Sequence, residues 1–593
     1  MPSKIWAQVK NILISEVGRQ FERVSLPFLR IEWPDLAYPS DLGFLDCKGI
    51  DQAVVTPGFK FPVVIQFKGF EITGSLGKSQ LEQVRNSVDS FLASNLCCER
   101  YILFYNREGY DQDFEKDAQS IVDELTVKGK ASLAEVWNIS DAVKFLQSSL
   151  DNIVKKKMIS VSAKKAKDQQ SHFLFGNVLL NDVPYQEATW SFSKNAKTTL
   201  SEFCVTPSVQ LRKRLTTIVP DTRWTMLIGA FGMGKSTIAV SLGNEVGKAI
   251  VYIPANEILH FNNGGGSETN LWRDVARYLD VLGDVMGVEK ITPDFLDNLV
   301  ADSISRMMRG GKENMILVID GLDENRHFSH INGLKLLINE LANTTTPIVM
   351  ITRREHFFNS YGNYENEFSK LAWQASTKSV RVVELTDWNT SMAIDFLEQA
   401  GRLGDKTHSE RILVLRMKIQ DGSLKMVATH PLWLTMATEL AVDGTAINYE
   451  NLYELYENWT LLKLRRDFDK SRAIPLGFED NLGILLGLQQ AFMQKVAMAM
   501  TQVVDDDLVL IESIDEGKVQ EIAIGIYGVR VQPEVYSVTS LLEPTGYRSI
   551  FNATGINLKF FHASLHEFYV AREIKLNLDN KLRLPEAVKK FLQ

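Results

Sequence analysis

A glycine-rich loop between an apolar strand and a helical pattern is the feature that most limits how this chain can fold. The loop lies in residues 225–243, TMLIGAFGMGKSTIAVSLG, and has the pattern GxxxxGKS. Glycines let the backbone wrap closely around phosphates, so that its N–H groups and the start of the next helix face the anion. The pattern therefore predicts an α/β fold that binds ATP or ADP with Mg²⁺. The loop residues predicted to bind the nucleotide are Gly229, Gly232, Gly234, Lys235, Ser236 and Thr237.

Cationic and hydroxyl side chains complete the predicted phosphate site. Lys235 is expected to reach the β- and γ-phosphates, and Ser236 to place its hydroxyl on Mg²⁺. Residues 347–355, PIVMITRRE, form another apolar strand, which delivers Arg353 to its end. Arg353 is predicted to sense the γ-phosphate, and the alternative is that it belongs to a pair of surface arginines.

An acidic strand end supplies the predicted metal ligand of this site. In residues 315–324, MILVIDGLDE, an apolar strand ends at Asp320. Because the carboxyl ends of parallel strands meet at one edge of a sheet, Asp320 should lie beside the phosphate loop and bind Mg²⁺. Either Asp323 or Glu324 would orient or deprotonate the attacking water.

These motifs together resemble the NACHT family of STAND ATPases over roughly residues 205–580. The segments that support the resemblance are DGLDE, TRRE, VELTDWNTSMAIDFLEQA, ATHPLWLTMATEL and LKFFHASLHEFYVARE. The resemblance implies that Pro431 packs near the adenine and that His562 contacts the β-phosphate. His562 alone would also fit a buried core histidine, and His566 stands where the family usually has glutamine or phenylalanine. The family further implies a switch that is closed with ADP, opens and assembles into a homo-oligomer with ATP, and responds to a phage-derived or other trigger ligand.

A second polar pattern lies near the start of the chain. Residues 59–70, FKFPVVIQFKGF, are mostly apolar, yet Gln66 and Lys68 are two apart and so point to one face of a strand. The preceding residues, GIDQAVVTPG, predict an antiparallel hairpin that brings Asp51 to the same end. A carboxylate, a second oxygen ligand and a lysine near the attacking water are what a metal-dependent phosphodiesterase requires.

Two other carboxylates bear on this second site. Glu22 lies in a helical pattern, GRQFERVSLPFL, which could bring it to the cluster, and Asp46 competes with Asp51 as the metal ligand. The segments GxxFE, GID and QFK resemble the Mrr-type branch of the PD-(D/E)xK nucleases over roughly residues 10–110. The resemblance implies that Glu22, Asp51 and Gln66 bind Mg²⁺ and that Lys68 takes part in catalysis on DNA.

The predicted fold class is α/β, with five parts along the chain. The first is restriction-endonuclease-like, the third is a P-loop NTPase with a parallel sheet, and helical and winged-helix subdomains follow. Residues 151–170 hold six lysines and few large apolar groups, which favours a solvated tether over the alternative, an arm that contacts phosphates. The predicted boundaries are 1–150 for the nuclease-like domain, 151–204 for a linker, 205–385 for the NTPase domain, 386–475 for the helical subdomain and 476–593 for the winged-helix region and tail.

Composition restricts the location and the partners. No apolar run is long enough for a membrane span, and none of the four cysteines forms a CxxC pair. These features predict a cytoplasmic protein that does not act in a membrane. The net charge of −8 argues against general polyanion binding, so contact with DNA would need a local basic patch or an oligomer.

The predicted function is antiphage defence, in which ATP-dependent oligomerisation activates an N-terminal Mg²⁺-dependent DNA endonuclease and causes abortive infection. The alternative is a nucleotide-controlled signalling or DNA-binding scaffold with an inactive nuclease-like domain, because Gln66 contributes no charge to the metal site. A restriction-type translocase is disfavoured, since no second helicase motor domain is recognisable after the ATPase core.

Overall fold

The structure, a computed structural model, describes the chain in segments. Asp46 and His562 lie outside the described residues. The described residues are 4–37, 49–56, 60–71, 73–108, 112–171, 185–191, 224–239, 248–258, 271–282, 291–310, 315–328, 331–341, 344–357, 379–403, 406–445, 451–471, 482–504, 507–510, 514–527, 551–554, 557–560 and 563–580.

A four-stranded mixed sheet with helices on both faces forms the N-terminal region. The strand order is β1-β2-β3-β4, in which β1 pairs with β2 antiparallel and the other pairs are parallel. The predicted antiparallel hairpin is present as β1 and β2. The elements are α1 (Lys4–Ser15), α2 (Gly18–Leu29), β1 (Gln52–Thr56), β2 (Lys60–Lys68), α3 (Lys78–Ala93), β3 (Cys98–Tyr105), α4 (Gln112–Val127), β4 (Ala131–Trp137) and α5 (Ile139–Ser171).

Alternate residues of β2 face opposite sides of this sheet, as the period of a strand requires. Ile65 and Phe67 pack on the side of α1 and α2, where the ring of Phe21 contacts that of Phe67. Val64 packs on the side of α3 and α4, together with Val88. Side chains at even-numbered positions of β2 therefore point toward α3.

A six-stranded sheet forms the centre of the chain and confirms the predicted α/β fold with a parallel sheet. Its order is β5-β10-β6-β9-β8-β7, and all neighbours are parallel except β5, which pairs antiparallel with β10. The described helices between these strands lie beside the sheet, as does α5, which precedes β5. The elements are β5 (Tyr185–Ser191), β6 (Trp224–Gly229), β7 (Ala249–Pro254), α6 (Leu271–Leu279), α7 (Pro293–Gly310), β8 (Met315–Asp320), α8 (Ile331–Leu341), β9 (Ile348–Arg353) and β10 (Ser379–Leu385).

Helix α5 joins the two sheets and corrects the expectation of a solvated tether after residue 150. Val154 and Met158 on this helix are fully buried, and the Asp151 carboxylate accepts two hydrogen bonds of 2.9 Å from the guanidinium of Arg306 on α7. The composition of the segment does not reveal this packing face, because its six lysines outnumber the apolar residues, which recur only every four positions. Strand β5 also lies within the range predicted as linker, and the domain boundaries stay predictions.

The described residues after β10 are mostly helical and pack on one face of the central sheet. Leu227 of β6 and Val318 of β8 share a core with this helical region, whereas the opposite face, with Met226, packs with α6, α7 and α5. In the described residues, no helix is long and apolar enough to cross a membrane. The winged-helix assignment stays a prediction. The elements are α9 (Thr390–Leu403), α10 (Lys406–Gln420), a short helix (Lys425–Ala428), α11 (Pro431–Asp443), α12 (Leu452–Ser471), α13 (Leu482–Ala499), β11 (Thr501–Val504), β12 (Asp507–Leu510), β13 (Ile514–Asp515), α14 (Glu516–Tyr527), β14 (Phe551–Thr554), β15 (Asn557–Phe560) and α15 (Ala563–Asp579).

Candidate functional site

The glycine-rich loop follows β6, a central strand of the six-stranded sheet. Gly232 and Gly234 have φ angles of 76° and 83°, in the left-handed region that glycine adopts without a steric penalty. A helical segment begins at Lys235 and includes Ser236 and Thr237, both half-buried. Open space lies beside Gly234, where an added Cβ would meet no atom within 4 Å. The loop thus has the wrapped backbone that phosphate binding requires.

Lys235 bends back over its own loop. Its ammonium donates to the carbonyl oxygens of Gly229 and Ala230, at 2.9 and 2.8 Å. Burial lowers the pKa of Lys235, while the negative charges of Asp323 and Asp320 act in the opposite direction. The cation and the two carboxylates therefore lie close enough to interact.

Asp320 ends β8 beside the loop, and a tyrosine from the next strand holds its carboxylate. The hydroxyl of Tyr252, on β7, donates to Asp320 Oδ2 at 2.5 Å. Burial and the adjacent carboxylate raise the pKa of Tyr252 well above its usual value, so the hydroxyl keeps its proton and remains a donor. Sequence reasoning missed Tyr252, since it lies inside an apolar strand pattern, AIVYIP, that carries no motif.

Asp323 and Arg353 form an ion pair at the ends of two adjacent strands. Asp323 Oδ2 lies 2.8 Å from Arg353 Nε, and Asp323 Oδ1 accepts from the backbone N–H of Arg353 at 2.9 Å and from the hydroxyl of Thr352 at 3.2 Å. Both oxygens of Asp323 therefore already have partners. Glu324 ends the same short turn, next to Gly321, whose φ is 78°.

Arg353 also links the phosphate loop to the last described helix. Its guanidinium carbon lies 5.0 Å from the ring centroid of Phe231, within the loop. Its Nη1 lies 3.9 Å from Glu567 Oε1, on α15. One arginine thus contacts the loop, the acidic turn and the helical region. No sequence pattern pointed to Glu567, because this contact joins distant parts of the chain.

A histidine from the helical region packs against the same loop. His430 is 7% exposed, its Nε2 donates to the carbonyl of Phe231, and its ring stacks on Trp433 at 4.1 Å between centroids. Burial lowers the pKa of His430 to about 4, and the nearby Lys235 ammonium acts in the same direction. Pro431, the predicted adenine contact, is the first residue of α11, directly after this histidine. The sequence singled out the proline and missed the histidine.

At the N-terminal sheet, the hairpin brings together Asp51, Gln66 and Phe67. The register pairs Ala53 with Val64, so that the carboxylate lies opposite the end of β2. Asp51 Oδ2 accepts a hydrogen bond from the Gln66 side-chain amide and another, of 2.6 Å, from the backbone N–H of Phe67. Gln66 is 5% exposed, so this contact is largely shielded from solvent.

Lys68 lies on the same side of β2 as Gln66 and turns toward α3. Its ammonium donates to the hydroxyl of Ser87 at 2.7 Å. Burial lowers the pKa of Lys68, and the charge of Asp51 opposes this shift, which indicates that the two groups are near one another. Ser87 is a partner that the sequence did not suggest, because it sits among polar residues on an ordinary helical pattern.

Glu22, a predicted metal ligand, lies on helix α2, and its role at the metal site stays a prediction. It is half-buried on α2, the helix whose Phe21 packs against Phe67 and Phe104, whereas Gln66 and Lys68 point toward α3. Among the described residues, no group of three or more His, Cys, Asp or Glu side chains is arranged to hold a metal ion. Asp46 and His562 lie outside the described residues, so their predicted roles stay predictions.

Comparison with known proteins gives distant structural similarities. No protein-family model matches the sequence, and no curated protein matches it significantly. The Aeropyrum pernix Orc1 protein, solved in complex with DNA, is 11% identical over 62% of this chain and 93% of that chain, with a TM-score of 0.27. A Walker-type ATPase of Pyrococcus abyssi is 12% identical over 64% and 99%, with a TM-score of 0.26. The Thermotoga maritima RuvB Holliday junction branch migration motor is 11% identical over 63% and 94%, with a TM-score of 0.23. Scores this low carry no functional conclusion.

Proposed function

We propose that this protein is a P-loop ATPase whose nucleotide state controls an N-terminal domain that acts on DNA. The observation that supports the ATPase most directly is the convergence of Lys235, Asp320 and Arg353 at one edge of a parallel sheet. In parallel α/β sheets, ligands bind at this edge, outside the carboxyl ends of the strands. Arg353 adds a reason to expect switching, since it also reaches Glu567 on α15.

The residues present fit a magnesium nucleotide. The wrapped loop and Lys235 would hold the phosphates, and the Ser236 hydroxyl and the Asp320 carboxylate would hold Mg²⁺, which prefers oxygen ligands. When bound, Mg²⁺ neutralises charge on the phosphate oxygens. Asp323 holds the side chain and backbone of Arg353, and Glu324 is exposed in the same turn, so we assign Glu324 to orient the attacking water. Lys235 already lies over the loop and needs only to exchange its carbonyl partners for phosphate oxygens.

Binding of a fluorescent ADP analogue tests the nucleotide site. We expect saturable binding to the wild type and to Lys248→Ala, which changes a lysine outside the loop, and no measurable binding to Lys235→Ala. Equal binding by the two alanine variants would contradict the site. Glu324→Gln should keep nucleotide binding and lose hydrolysis. If Asp323→Asn alone abolished hydrolysis and Glu324→Gln did not, the assignment of roles would be reversed.

The proposed output is cleavage of DNA by the N-terminal domain. Asp51, Gln66 and Lys68 at one end of a hairpin support it, together with the resemblance to Mrr-type nucleases. The residues fit Mg²⁺ if the Gln66 amide rotates, because a primary amide presents either its nitrogen or its oxygen. In the structure, its nitrogen faces Asp51. With a cation between them, the amide oxygen and the carboxylate would both be ligands, and Lys68 would stabilise negative charge near the metal.

A cleavage assay tests this output. Purified protein is incubated with duplex DNA, Mg²⁺ and ATP, with and without phage lysate. We expect cleavage by the wild type and by Lys78→Ala, an exposed lysine at the start of α3, and none by Lys68→Ala. Unchanged cleavage by Lys68→Ala, or none by any form, would refute the nuclease. Size measurement with ADP and with a non-hydrolysable ATP analogue tests the proposed assembly, and an unchanged monomer in both would oppose it.

A second function is a DNA-binding or signalling scaffold without cleavage. The neutral side chain of Gln66 favours it, because this residue hydrogen-bonds Asp51 and adds no negative charge that would attract a cation. Gln66→Glu separates the two functions. If the site is metal-dependent, the added carboxylate of Gln66→Glu should tighten Mg²⁺ binding and preserve cleavage. If the domain is a scaffold, Gln66→Glu and Asp51→Ala should both bind DNA without metal. Antiphage defence by abortive infection is the cellular role that the family resemblance adds to either function.

A further inference from the structure

Strand β7 forms one edge of the central sheet and contacts both helix α5 and the nucleotide site. In this sheet it pairs with β8, and helix α5 lies along its other side. At this edge the backbone N–H of Tyr252 donates to the hydroxyl of Ser162, on α5, at 2.9 Å. The edge strand is therefore bonded to the helix that emerges from the N-terminal sheet.

The side chain of the same tyrosine reaches the nucleotide site. Its hydroxyl donates to Asp320 Oδ2 at 2.5 Å, and Tyr252 is 4% exposed. The register pairs Tyr252 with Val318, so that the side chain must pass along β8 to reach the strand end. One residue thus bonds α5 through its backbone and Asp320 through its side chain.

From this arrangement we infer that Tyr252 is a positioning residue that holds the Asp320 carboxylate in orientation for Mg²⁺, with Ser162 fixing Tyr252 in turn. The inference rests on the nucleotide site proposed above and adds a physical connection from that site to α5. Partners that hydrogen-bond a metal-binding carboxylate fix its direction, and their removal commonly lowers metal affinity about 10- to 100-fold.

Helix α5 is anchored well enough to transmit a constraint. Asp151 accepts two hydrogen bonds from Arg306 of α7, and a further contact joins it to the hydroxyl of Ser303. Val154 and Met158 are fully buried on the same helix. A shift of α5 would therefore move the Ser162 hydroxyl relative to β7, and would disturb the residue that holds Asp320.

The test is a Mg²⁺ titration of binding of a fluorescent ADP analogue, with a second measurement in EDTA. We expect Tyr252→Phe, which removes one hydroxyl, to raise the half-saturating Mg²⁺ concentration about 10-fold or more and to leave binding in EDTA unchanged. Tyr453→Phe, on α12, should match the wild type in both measurements. A tyrosine that served packing alone would either change nothing, as phenylalanine fills the same space, or weaken binding in EDTA as well.

A serine pair tests the connection to α5. Ser162→Ala should raise the half-saturating Mg²⁺ concentration in the same direction as Tyr252→Phe, whereas Ser160→Ala, an exposed serine on the same helix, should not. An unchanged Mg²⁺ response in Tyr252→Phe, with a wild type that does respond, would overturn the positioning role alone. An unchanged response in Ser162→Ala would overturn the connection. A wild type that binds no nucleotide would refute the proposed function, and the inference with it.

Discussion

His430 should make the protein less stable in mildly acidic solution. The ring is buried between the phosphate loop and α11, where Nε2 donates to the Phe231 carbonyl and the ring stacks on Trp433. Burial lowers its pKa from 6.5 to about 4. A proton that binds in the unfolded chain at pH 5 is thus largely excluded from the folded protein.

The sign and the size follow from proton linkage. Because the folded pKa is the lower one, the unfolded state binds more protons between about pH 4 and 6.5, and stability falls as the pH falls through that window. With pKa values of 6.5 and about 4, the free energy of unfolding should drop by about 2 kcal/mol between pH 7.5 and pH 5. The loss should level off near about 3 kcal/mol below pH 4, where both states are protonated.

Urea unfolding at pH 7.5 and pH 5.0 measures this contribution, with His430→Asn as the variant. Asparagine keeps a donor for the loop carbonyl and does not titrate. The drop in the free energy of unfolding should be about 2 kcal/mol smaller in His430→Asn than in the wild type. His408→Asn, on α10, is the control and should behave like the wild type. An equal drop in the wild type and His430→Asn would refute the argument.

Three further predictions concern packing and charge. Gly234→Ala should lower the free energy of unfolding by about 1 kcal/mol, because the residue has a positive φ. Gly232→Ala should lower it clearly more, because the added Cβ would lie 2.3 Å from the His430 ring. Thermal unfolding without nucleotide compares the two variants. Lys463→Met should destabilise the protein by about 3–5 kcal/mol, since it leaves the fully buried Glu439 carboxylate without its cation 2.8 Å away, and adding Glu439→Leu should restore most of the loss in urea unfolding. Glu567→Gln should change stability by less than about 1 kcal/mol, because its ion pair is long and half-exposed.

Local sequence patterns account for the parts of the fold and the site that could be predicted. The phosphate loop, the strand that ends at Asp320 and the strand that ends at Arg353 each follow from fewer than about ten consecutive residues, and the parallel sheet then brings their ends together. The hairpin is also local, since its register follows from alternation on two short strands. This is why the neighbourhood of Asp51 and Gln66 could be expected from the sequence.

The parts that could not be predicted depend on contacts between distant residues. Tyr252 and Asp320 are 68 positions apart, and His430 and Phe231 are 199 apart, so that no local pattern links them. Helix α2 illustrates a different difficulty. The helix was predicted from a local pattern, but the face of the sheet on which it packs is decided by tertiary contacts such as that between Phe21 and Phe67.

A related error concerned the residues after position 150. The segment was predicted to be a solvated tether because its composition includes six lysines and only a few apolar residues. The structure shows why the count misleads, because Val154, Met158 and Ser162 recur every four residues and make one buried stripe. Lys156 is exposed on another face of the helix, while that stripe packs against the central sheet and α7.

The contacts at the nucleotide site also limit how a switch could work. Moving a two-state equilibrium from 1:99 to 99:1 requires about 5.5 kcal/mol of differential binding, whereas a half-exposed ion pair such as Arg353 with Glu567 contributes about 1 kcal/mol or less. Polar contacts within the helical region are more buried than the ion pair between Arg353 and Glu567. Arg572 of α15 donates to the side chains of Gln494 and Gln490 of α13, at 2.6 and 2.9 Å, and these two glutamines are buried. A nucleotide signal that passes through Arg353 should therefore move α13 and α15 together against the central sheet, since separating them would break buried hydrogen bonds that the exposed pair cannot compensate.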